Sequence, residues 1–286
     1  MKTRMHSRSM AAVAALALVA GAGSAARADF NFTDFTSTAG LTMVGSATQT
    51  GSTILLTPAE RAMSGATWYT AAKQDVSLGF EASMTIRVPV RNGGGADGFA
   101  LVIQNDSPTA LGGNGGGLGY ASNPVYGQAG IANSFAVEID MWDNTGGWAD
   151  MSGSHISLQS RGLLQNSPDQ AYSLGAVNCP DMSDGGYHTI RIVYTPGLIN
   201  VYTDASSAPV LQALVDLSSL LSLDTNGGTT PGRAWIGVSA STGAYIDGQA
   251  QELTALSFTT TTVPAPGSAA LAAAGLILAA RRKRKA

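Results

Sequence analysis

Residues 135–155 read FAVEIDMWDNTGGWADMSGSH, an apolar run that leads directly into a polar cluster. Charged residues make up only 12% of the chain, so this concentration of acids stands out within it. Side chains alternate across a strand, so Glu138 and Asp140 are expected on one face of a strand. Two carboxylates this close repel each other unless a cation lies between them. The stretch therefore predicts a buried strand that ends at a cation site.

The residues around the end of this strand offer two sets of metal ligands. Carboxylate, amide and carbonyl oxygens would form a shell that suits Ca²⁺, from Asp140, Trp142, Asn144 and Asp150. An imidazole with three carboxylates would suit a transition metal such as Mn²⁺, from Glu138, Asp140, Asp150 and His155. Each residue taken singly could equally be a solvated surface group. The ordered set favours a metal site.

Short alternating or apolar runs, separated by clusters of Gly, Asn, Asp and Pro, recur along the middle of the chain. They predict strands at residues 83–90, 98–103, 135–140, 155–160, 188–195, 199–204, 234–241 and 253–260. The one helical pattern, residues 210–223, is interrupted by Asp216 and Ser218 and indicates a strand followed by a short helical turn. Many short strands with turn-rich connections predict an all-β fold, an antiparallel β-sandwich or jelly roll.

The two ends of the 286-residue chain differ from the middle. A basic leader, an apolar run and the small-residue pattern Ala26-Arg27-Ala28 predict a signal peptide over residues 1–28. Residues 261–286 contain Pro264 and Pro266, an apolar segment and an unbroken basic run. The apolar segment is shorter than the roughly 20 residues of a comfortable membrane span. The domain between the ends is expected over residues 29–260.

Charge and cysteine content exclude some classes of partner. Between the two ends, seven basic residues face all 19 acidic ones, which gives a formal charge of −12. Nucleic acid is excluded as a partner because phosphate binding needs the opposite sign, whereas a divalent cation would offset part of the charge. Cys179 is the only cysteine, so it forms no internal disulfide and is either buried or paired with another chain.

The polar cluster resembles the metal-binding strand and loop of legume-type (L-type) lectins, which have concanavalin-like jelly-roll folds. In that family an acid, a second acid two residues on, an aromatic, an Asn, an Asp and a His follow one another. The matching residues here are Glu138, Asp140, Trp142, Asn144, Asp150 and His155. The resemblance implies a Ca²⁺ site and a neighbouring transition-metal site.

Three further stretches resemble the sugar-binding loops of the same family. GADGFALVI (95–103) implies that Asp97 follows a cis bond from Ala96 and accepts hydrogen bonds from sugar hydroxyls. GGGLGY (115–120) implies a backbone donor, for which we select Gly116, and residues 235–258 resemble the last strands and specificity loop. The implied carbohydrate-binding residues are Asp97, Gly116, Asn144, Gly243 and Ala244. The rings of Trp142, Trp148 and Tyr245 are candidates for an apolar floor.

The C-terminal segment resembles the PEP-CTERM sorting signal of Gram-negative bacteria, with a Pro-rich triplet, a short apolar helix and a basic tail. The resemblance implies an exosortase-type sorting enzyme as a partner. It also implies export to the envelope or the extracellular space, with membrane contact only through this segment before processing.

The expected function is calcium-dependent binding of glycans or exopolysaccharide, without enzymatic activity. Two alternatives remain open at this point. A concanavalin-like glycoside hydrolase would use Glu138 and Asp140 as its pair of carboxyl groups. A structural matrix protein would keep the fold without binding sugar.

Overall fold

The computed structural model describes residues 29–91, 96–144, 146–225, 231–244 and 248–261. The predicted signal peptide, nearly all of the predicted sorting segment and Tyr245 lie outside these residues. In the part described, no helix has the length and apolar character needed to span a membrane.

The described residues form strands joined by loops, with one short helix. The strands are β1 (Phe30–Phe32), β2 (Leu41–Gly45), β3 (Thr48–Thr50), β4 (Thr53–Thr57), β5 (Ser64–Asp75), β6 (Phe80–Arg91), β7 (Gly98–Gln104), β8 (Ser134–Asp140), β9 (His155–Ser160), β10 (Ser173–Asn178), β11 (Tyr187–Thr195), β12 (Leu198–Thr203), β13 (Leu211–Ala213), β14 (Asp224–Thr225), β15 (Pro231–Ser241) and β16 (Gln249–Thr260). The helix α1 (Leu217–Leu220) follows β13, and 3-10 turns occur at Gly115–Gly117, Pro124–Tyr126 and Gln170–Tyr172.

The strands form two antiparallel sheets. One has the order β13-β12-β11-β6-β16-β4-β3, with β1 paired to β16. The other has the order β10-β9-β8-β7-β15-β5-β2, with β14 paired to β15. The predicted all-β sandwich or jelly-roll fold is confirmed. Neighbouring strands such as β6 and β16 are far apart in sequence, because the chain passes through the other sheet between them.

The strand predictions are confirmed, including the division of residues 210–223 into a strand and a helical turn. The chain also forms strands outside the predicted runs, including β2, β3, β4, β10 and the 12-residue β5, in which Thr, Trp and Tyr favour a strand whereas Gly, Ala, Lys and Asp do not. β5 pairs with β15 along one edge and with β2 along the other, and residues 65–68 within it are buried. Tertiary contacts, rather than local preference, therefore determine the structure of β5.

The alternation along β8 separates the core from the acidic face. Phe135, Val137 and Ile139 lie in the main core between the sheets. Ala136 lies on the other face, in a second apolar cluster with Trp68 and Tyr120. Glu138 and Asp140 share the face of Ala136, as the sequence predicts, and every residue of β8 is buried. The carboxylates therefore lie beneath a covering loop and not at an open surface.

Candidate functional site

Strand register brings the acidic residues together at one end of the second sheet. Asp140 pairs with His155 of β9 on one side and with Gly98 of β7 on the other. Asp97, which directly precedes β7, follows a cis peptide bond from Ala96, as predicted. Its backbone N–H donates to Ser241 and its carbonyl accepts from Met141, at 2.8 Å and 2.7 Å. Three strand ends thus hold Asp97 beside the metal-ligand candidates.

Three of the predicted metal ligands form one compact group. A ligand atom from each of Asp140, Asp150 and His155 lies within 4.8 Å of the other two, and all three residues are buried. Backbone N–H groups orient both carboxylates: Trp142 donates to Asp140 Oδ1 and Asn144 donates to Asp150 Oδ2, each at 2.7 Å. Asn144 Oδ1 is buried and has no hydrogen-bond partner among the described residues. These oxygens match the donor set that Ca²⁺ prefers.

Glu138 lies next to this group, with its Oε1 3.7 Å from His155 Nε2. Its carboxylate accepts hydrogen bonds from the Tyr120 hydroxyl and from Gln159 Nε2. His155 Nδ1 lies 2.9 Å from the Ser152 carbonyl, which can only accept, so Nδ1 carries the proton of the neutral ring. The lone pair of that ring is then on Nε2, which faces Glu138 and Gln170. A nitrogen lone pair beside carboxylates suits a transition metal.

Burial strongly perturbs these carboxyl groups. Burial, followed by the charge of Asp150, raises the pKa of Asp97 to about 8. Burial and then the charges of Glu138 and Asp150 raise the pKa of Asp140 well above its usual range. The pKa of Asp150 is raised to about 6, chiefly by burial. Carboxylates packed this closely are unfavourable in the ionised form, and a cation among them would offset the repulsion.

A cavity opens beside the acidic group. All five residues predicted to bind carbohydrate line it: Asp97, Gly116, Asn144, Gly243 and Ala244. Trp142 and Trp148, the two described candidates for an apolar floor, line it as well. Asp97 Oδ2 is buried without a hydrogen-bond partner among the described residues, so it is an acceptor that a ligand could satisfy. Four loops separated in sequence therefore meet at one pocket.

Backbone hydrogen bonds hold two of these loops to the rest of the fold. Gly115 N–H donates to the Thr242 carbonyl at 3.0 Å, which ties the glycine loop to the start of the loop that carries Gly243. The Gly243 carbonyl in turn accepts from Ala62 N–H at 3.0 Å. The cavity walls are thus connected to each other and not only to their own strands.

Sequence reasoning missed one wall of the cavity. Asn123, Val125 and Tyr126 line it, at the turn that follows the glycine loop. The dipeptide Asn123-Pro124 is a turn signal, but nothing in the sequence indicates that this turn folds back over the site. Its position follows from contacts with the glycine loop.

Comparison with known proteins decides the family. Residues 27–272 match the family model described as Legume lectin domain. The chain belongs to the legume lectin family. Members of this family bind carbohydrate and are not enzymes, and a legume lectin domain implies carbohydrate binding. Legume lectins bind Ca²⁺ and a transition metal, and the group of Asp140, Asp150 and His155 is placed to hold a metal ion.

Solved structures of lectins share the fold. A lectin from Bauhinia forficata in complex with GalNAc has a TM-score of 0.64 at 23% identity, over 82% of this chain and 99% of that one. The metal-free form of lectin I-B4 from Griffonia simplicifolia has the same TM-score and coverage at 22% identity. The exoplasmic/lumenal domain of VIP36, in a Ca²⁺/Man-bound form, has a TM-score of 0.57 at 17% identity, over 79% and 85% of the two chains. No curated protein sequence matches the chain.

Proposed function

We propose that this protein is a calcium-dependent lectin that is exported and binds glycans or exopolysaccharide outside the cytoplasm. One observation carries the proposal. Asp97, Gly116 and Asn144 line one cavity directly beside the buried group of Asp140, Asp150 and His155. Legume lectins in general bind sugar, and two of the similar structures are described with GalNAc and with Man bound.

The metal would act by ordering the sugar-binding loop. Ca²⁺ would be held by Asp140, the Trp142 carbonyl, Asn144 and Asp150. The Asn144 ligand atom would be Oδ1, which is buried and has no hydrogen-bond partner among the described residues. A transition metal would be held by Glu138, Asp140, Asp150 and His155. With Asn144 Oδ1 on the ion, its amide N–H groups are directed away from the ion and can donate to a sugar hydroxyl.

Different residues of the chain would then contact different parts of the sugar. Asp97 accepts from hydroxyl groups through its unpartnered oxygen, and Gly116 donates through its backbone N–H. Trp142 or Trp148 lies against the C–H face of the ring, and Gly243 and Ala244 form the variable rim. A shallow site of this kind binds one sugar weakly, with a Kd of about 1 mM. Retention on a polysaccharide would therefore come from many sites acting together.

Export rests on the two ends of the chain. The signal peptide would direct secretion, and the PEP-CTERM-like segment would be a substrate for an exosortase-type enzyme that delivers the protein to the envelope or outside. Mass spectrometry of the mature protein tests this directly. We expect an N-terminus at Asp29 and loss of the apolar segment and basic tail; an intact C-terminus in the mature protein would refute the sorting step.

The geometry favours a lectin over a hydrolase. A hydrolase that used Glu138 and Asp140 would need both carboxyl groups to flank a glycosidic bond. The described lining of the cavity includes Asp97 but neither of these two residues. The Glu138 carboxylate instead accepts hydrogen bonds from the Tyr120 hydroxyl and Gln159 Nε2. Release of reducing sugar from a β-glucan would reverse this preference.

A glycan array probed with Ca²⁺, and again with a chelator, tests the proposed function. We expect binding that the chelator abolishes. Asp97→Asn should abolish binding, whereas the matched control Asp106→Asn, on the exposed loop after β7, should not. Absence of binding to every glycan with Ca²⁺ present would instead favour a structural matrix protein with this fold.

A further inference from the structure

Polar side chains occupy part of the space between the two sheets, next to the candidate site. Thr57 at the end of β4 and Gln249 and Gln251 at the start of β16 are fully buried. Both strands belong to the sheet that contains β6. Further along β16, Leu253 and Phe258 fill the main core with apolar groups. The side chains that β16 buries therefore change from polar to apolar along the strand.

The side chain of Gln251 reaches across to the other sheet. Its Nε2 donates to the carbonyl of Gly98, the first residue of β7, at 3.1 Å, and its Oε1 accepts from the Thr57 hydroxyl at 2.7 Å. A backbone carbonyl can only accept, so the amide atom that faces Gly98 is Nε2. Thr57 thus orients the amide of Gln251, and that amide in turn holds the backbone of Gly98.

The Gly98 carbonyl gives Gln251 a hold on the segment that carries Asp97. Gly98 has no side chain, and a Cβ there would lie 2.1 Å from the Ile139 carbonyl oxygen, so packing of a side chain cannot position this residue. Asp97 directly precedes it, and the backbone of Asp97 is already hydrogen-bonded next to the ends of β8 and β15. Gln251 adds a contact from the opposite sheet. The position of Asp97 relative to the core therefore depends on Gln251.

A buried amide contributes a defined geometry more than net stability. Burial of a polar group is unfavourable unless it is hydrogen-bonded, so an apolar side chain would fill this space at lower cost. Gln249 illustrates the cost, because its Nε2 donates to the weak acceptor Met141 Sδ and its Oε1 has no partner among the described residues. Gln251 has both ends of its amide hydrogen-bonded. A fully bonded buried group of this kind specifies one arrangement of its neighbours.

We propose that Gln251 is a positioning residue for sugar binding. The inference rests on the proposed lectin function and adds a residue that does not itself touch the sugar. Through the Gly98 carbonyl, Gln251 holds Asp97 in the place where its unpartnered Oδ2 can accept from sugar hydroxyls. The described hydrogen bonds of the Gln251 side chain go to Gly98 and Thr57 and not to the proposed calcium ligands. Loss of this amide should therefore weaken sugar binding and leave calcium binding unchanged.

The test separates sugar affinity from calcium affinity and from stability. Gln251→Met keeps the length of the side chain but removes the amide. Ligand-detected NMR titrations in saturating Ca²⁺, well below Tm, would measure the Kd of glucose, mannose, galactose, N-acetylglucosamine and N-acetylgalactosamine. For the sugars that the wild type binds, we expect Kd to rise about fivefold, the equivalent of one hydrogen bond, while the Kd of Ca²⁺ from calorimetry changes by less than about twofold. A purely structural role would lower Tm and leave both dissociation constants unchanged.

Gln249→Met is the matched control. Gln249 lies on the same strand and is as fully buried as Gln251, but it donates to a side-chain sulfur and not to the backbone beside Asp97. Its substitution should leave the Kd of the sugars unchanged. Thermal melts identify a Gln251→Met protein that does not fold, in which case Thr57→Val decides. That variant removes only the hydroxyl that orients the Gln251 amide, so we expect Kd to rise about threefold.

The outcomes distinguish the positioning role from the lectin function. If a folded Gln251→Met protein binds sugar as tightly as the wild type, the lectin function stands and the positioning role is refuted; an unchanged Kd in Thr57→Val has the same meaning if Gln251→Met does not fold. An equal rise in Kd in Gln249→Met, or a matching loss of calcium affinity in Gln251→Met, refutes the role as well, because either indicates a general disturbance of the site. If the wild type binds none of these sugars with Ca²⁺ present, both proposals are refuted.

Discussion

Substitution of Gly116 by Ala should remove sugar binding while leaving the fold intact. A Cβ at this position would lie 2.1 Å from Trp148 Cζ3, 2.6 Å from Trp148 Cε3 and 2.8 Å from Asn144 Oδ1. Carbon atoms in contact lie about 3.5–4.0 Å apart, so the indole must move by roughly 1.5 Å. Both affected side chains line the cavity, and one of them is a proposed calcium ligand.

The expected loss of affinity follows from these displacements. Loss of one hydrogen bond from Asn144 costs about 1 kcal/mol, and misplacement of the indole face adds about 0.5 kcal/mol. Together they predict at least a tenfold rise in Kd, which places a site of about 1 mM beyond detection on an array. The clashing atoms belong to two side chains that line the cavity and not to the backbone or the main core, so we expect the free energy of unfolding to change by less than about 1 kcal/mol.

Gly117→Ala is the matched control for this experiment. A Cβ on Gly117 would have the Ser122 carbonyl oxygen at 3.7 Å and Asn123 Cβ at 3.8 Å, which are ordinary contacts. The two glycines are adjacent in one 3-10 turn, so both substitutions remove the same backbone freedom. Sugar titration and thermal melts of the three proteins measure the effect. Undiminished binding by Gly116→Ala, or an equal loss of binding in Gly117→Ala, would contradict a role for the space above Gly116 in sugar binding.

Three further predictions concern the ion and the surface charges. Ca²⁺ at 100 times its Kd should stabilise the fold by about 2.7 kcal/mol, raising Tm by several degrees until a chelator is added; a Tm that ignores both reagents would contradict a calcium site. Asp140→Asn should abolish the calcium-dependent rise in Tm. Because it removes one of several buried like charges, it should also raise the Tm of the metal-free protein by a few degrees. A metal-free Tm below that of the wild type would show that repulsion among these carboxylates does not govern the stability of the metal-free fold. Burial lowers the pKa of His188, but hydrogen bonds to Asp184 and Asp204 outweigh this effect and raise the pKa overall. The cluster therefore contributes its full stabilisation below the unfolded pKa of about 6.5 and loses it as the pH rises through the higher folded pKa. Urea unfolding of His188→Asn should therefore show a larger deficit against the wild type at pH 5.5 than at pH 9, and equal deficits at both would exclude the charged pairs as its cause.

The buried acidic residues make a bound ion important for the stability of the fold as well as for sugar binding. Asp97, Asp140 and Asp150 are buried within one region of the fold, and burial raises the pKa of each. Buried acidic groups are normally retained with a compensating partner. The nearest basic side chain to this group is His155, which is neutral when its Nε2 acts as a ligand. The geometry therefore favours a protein whose folded state is most stable with metal bound.

Sequence patterns predicted the β-sandwich architecture and named residues that the fold brings to one cavity and one acidic group. Alternation in residues 135–140 correctly placed Glu138 and Asp140 on one face, because the side-chain period of a strand depends only on local geometry. The spacing from Asp140 to His155 correctly identified residues that the structure brings within 4.8 Å of one another. Local periodicity and the order of ligand types can be read from the sequence without knowing which residues are in contact.

Other features depend on long-range contacts that no local pattern reports. β5 is a strand because β2 and β15 pair with it on both sides. Asn123, Val125 and Tyr126 reach the cavity because Asn114 and the glycine loop hold their turn in place. Pairing and loop packing are contacts between residues far apart in sequence, and their free energies override the weak local preferences that a sequence pattern reports.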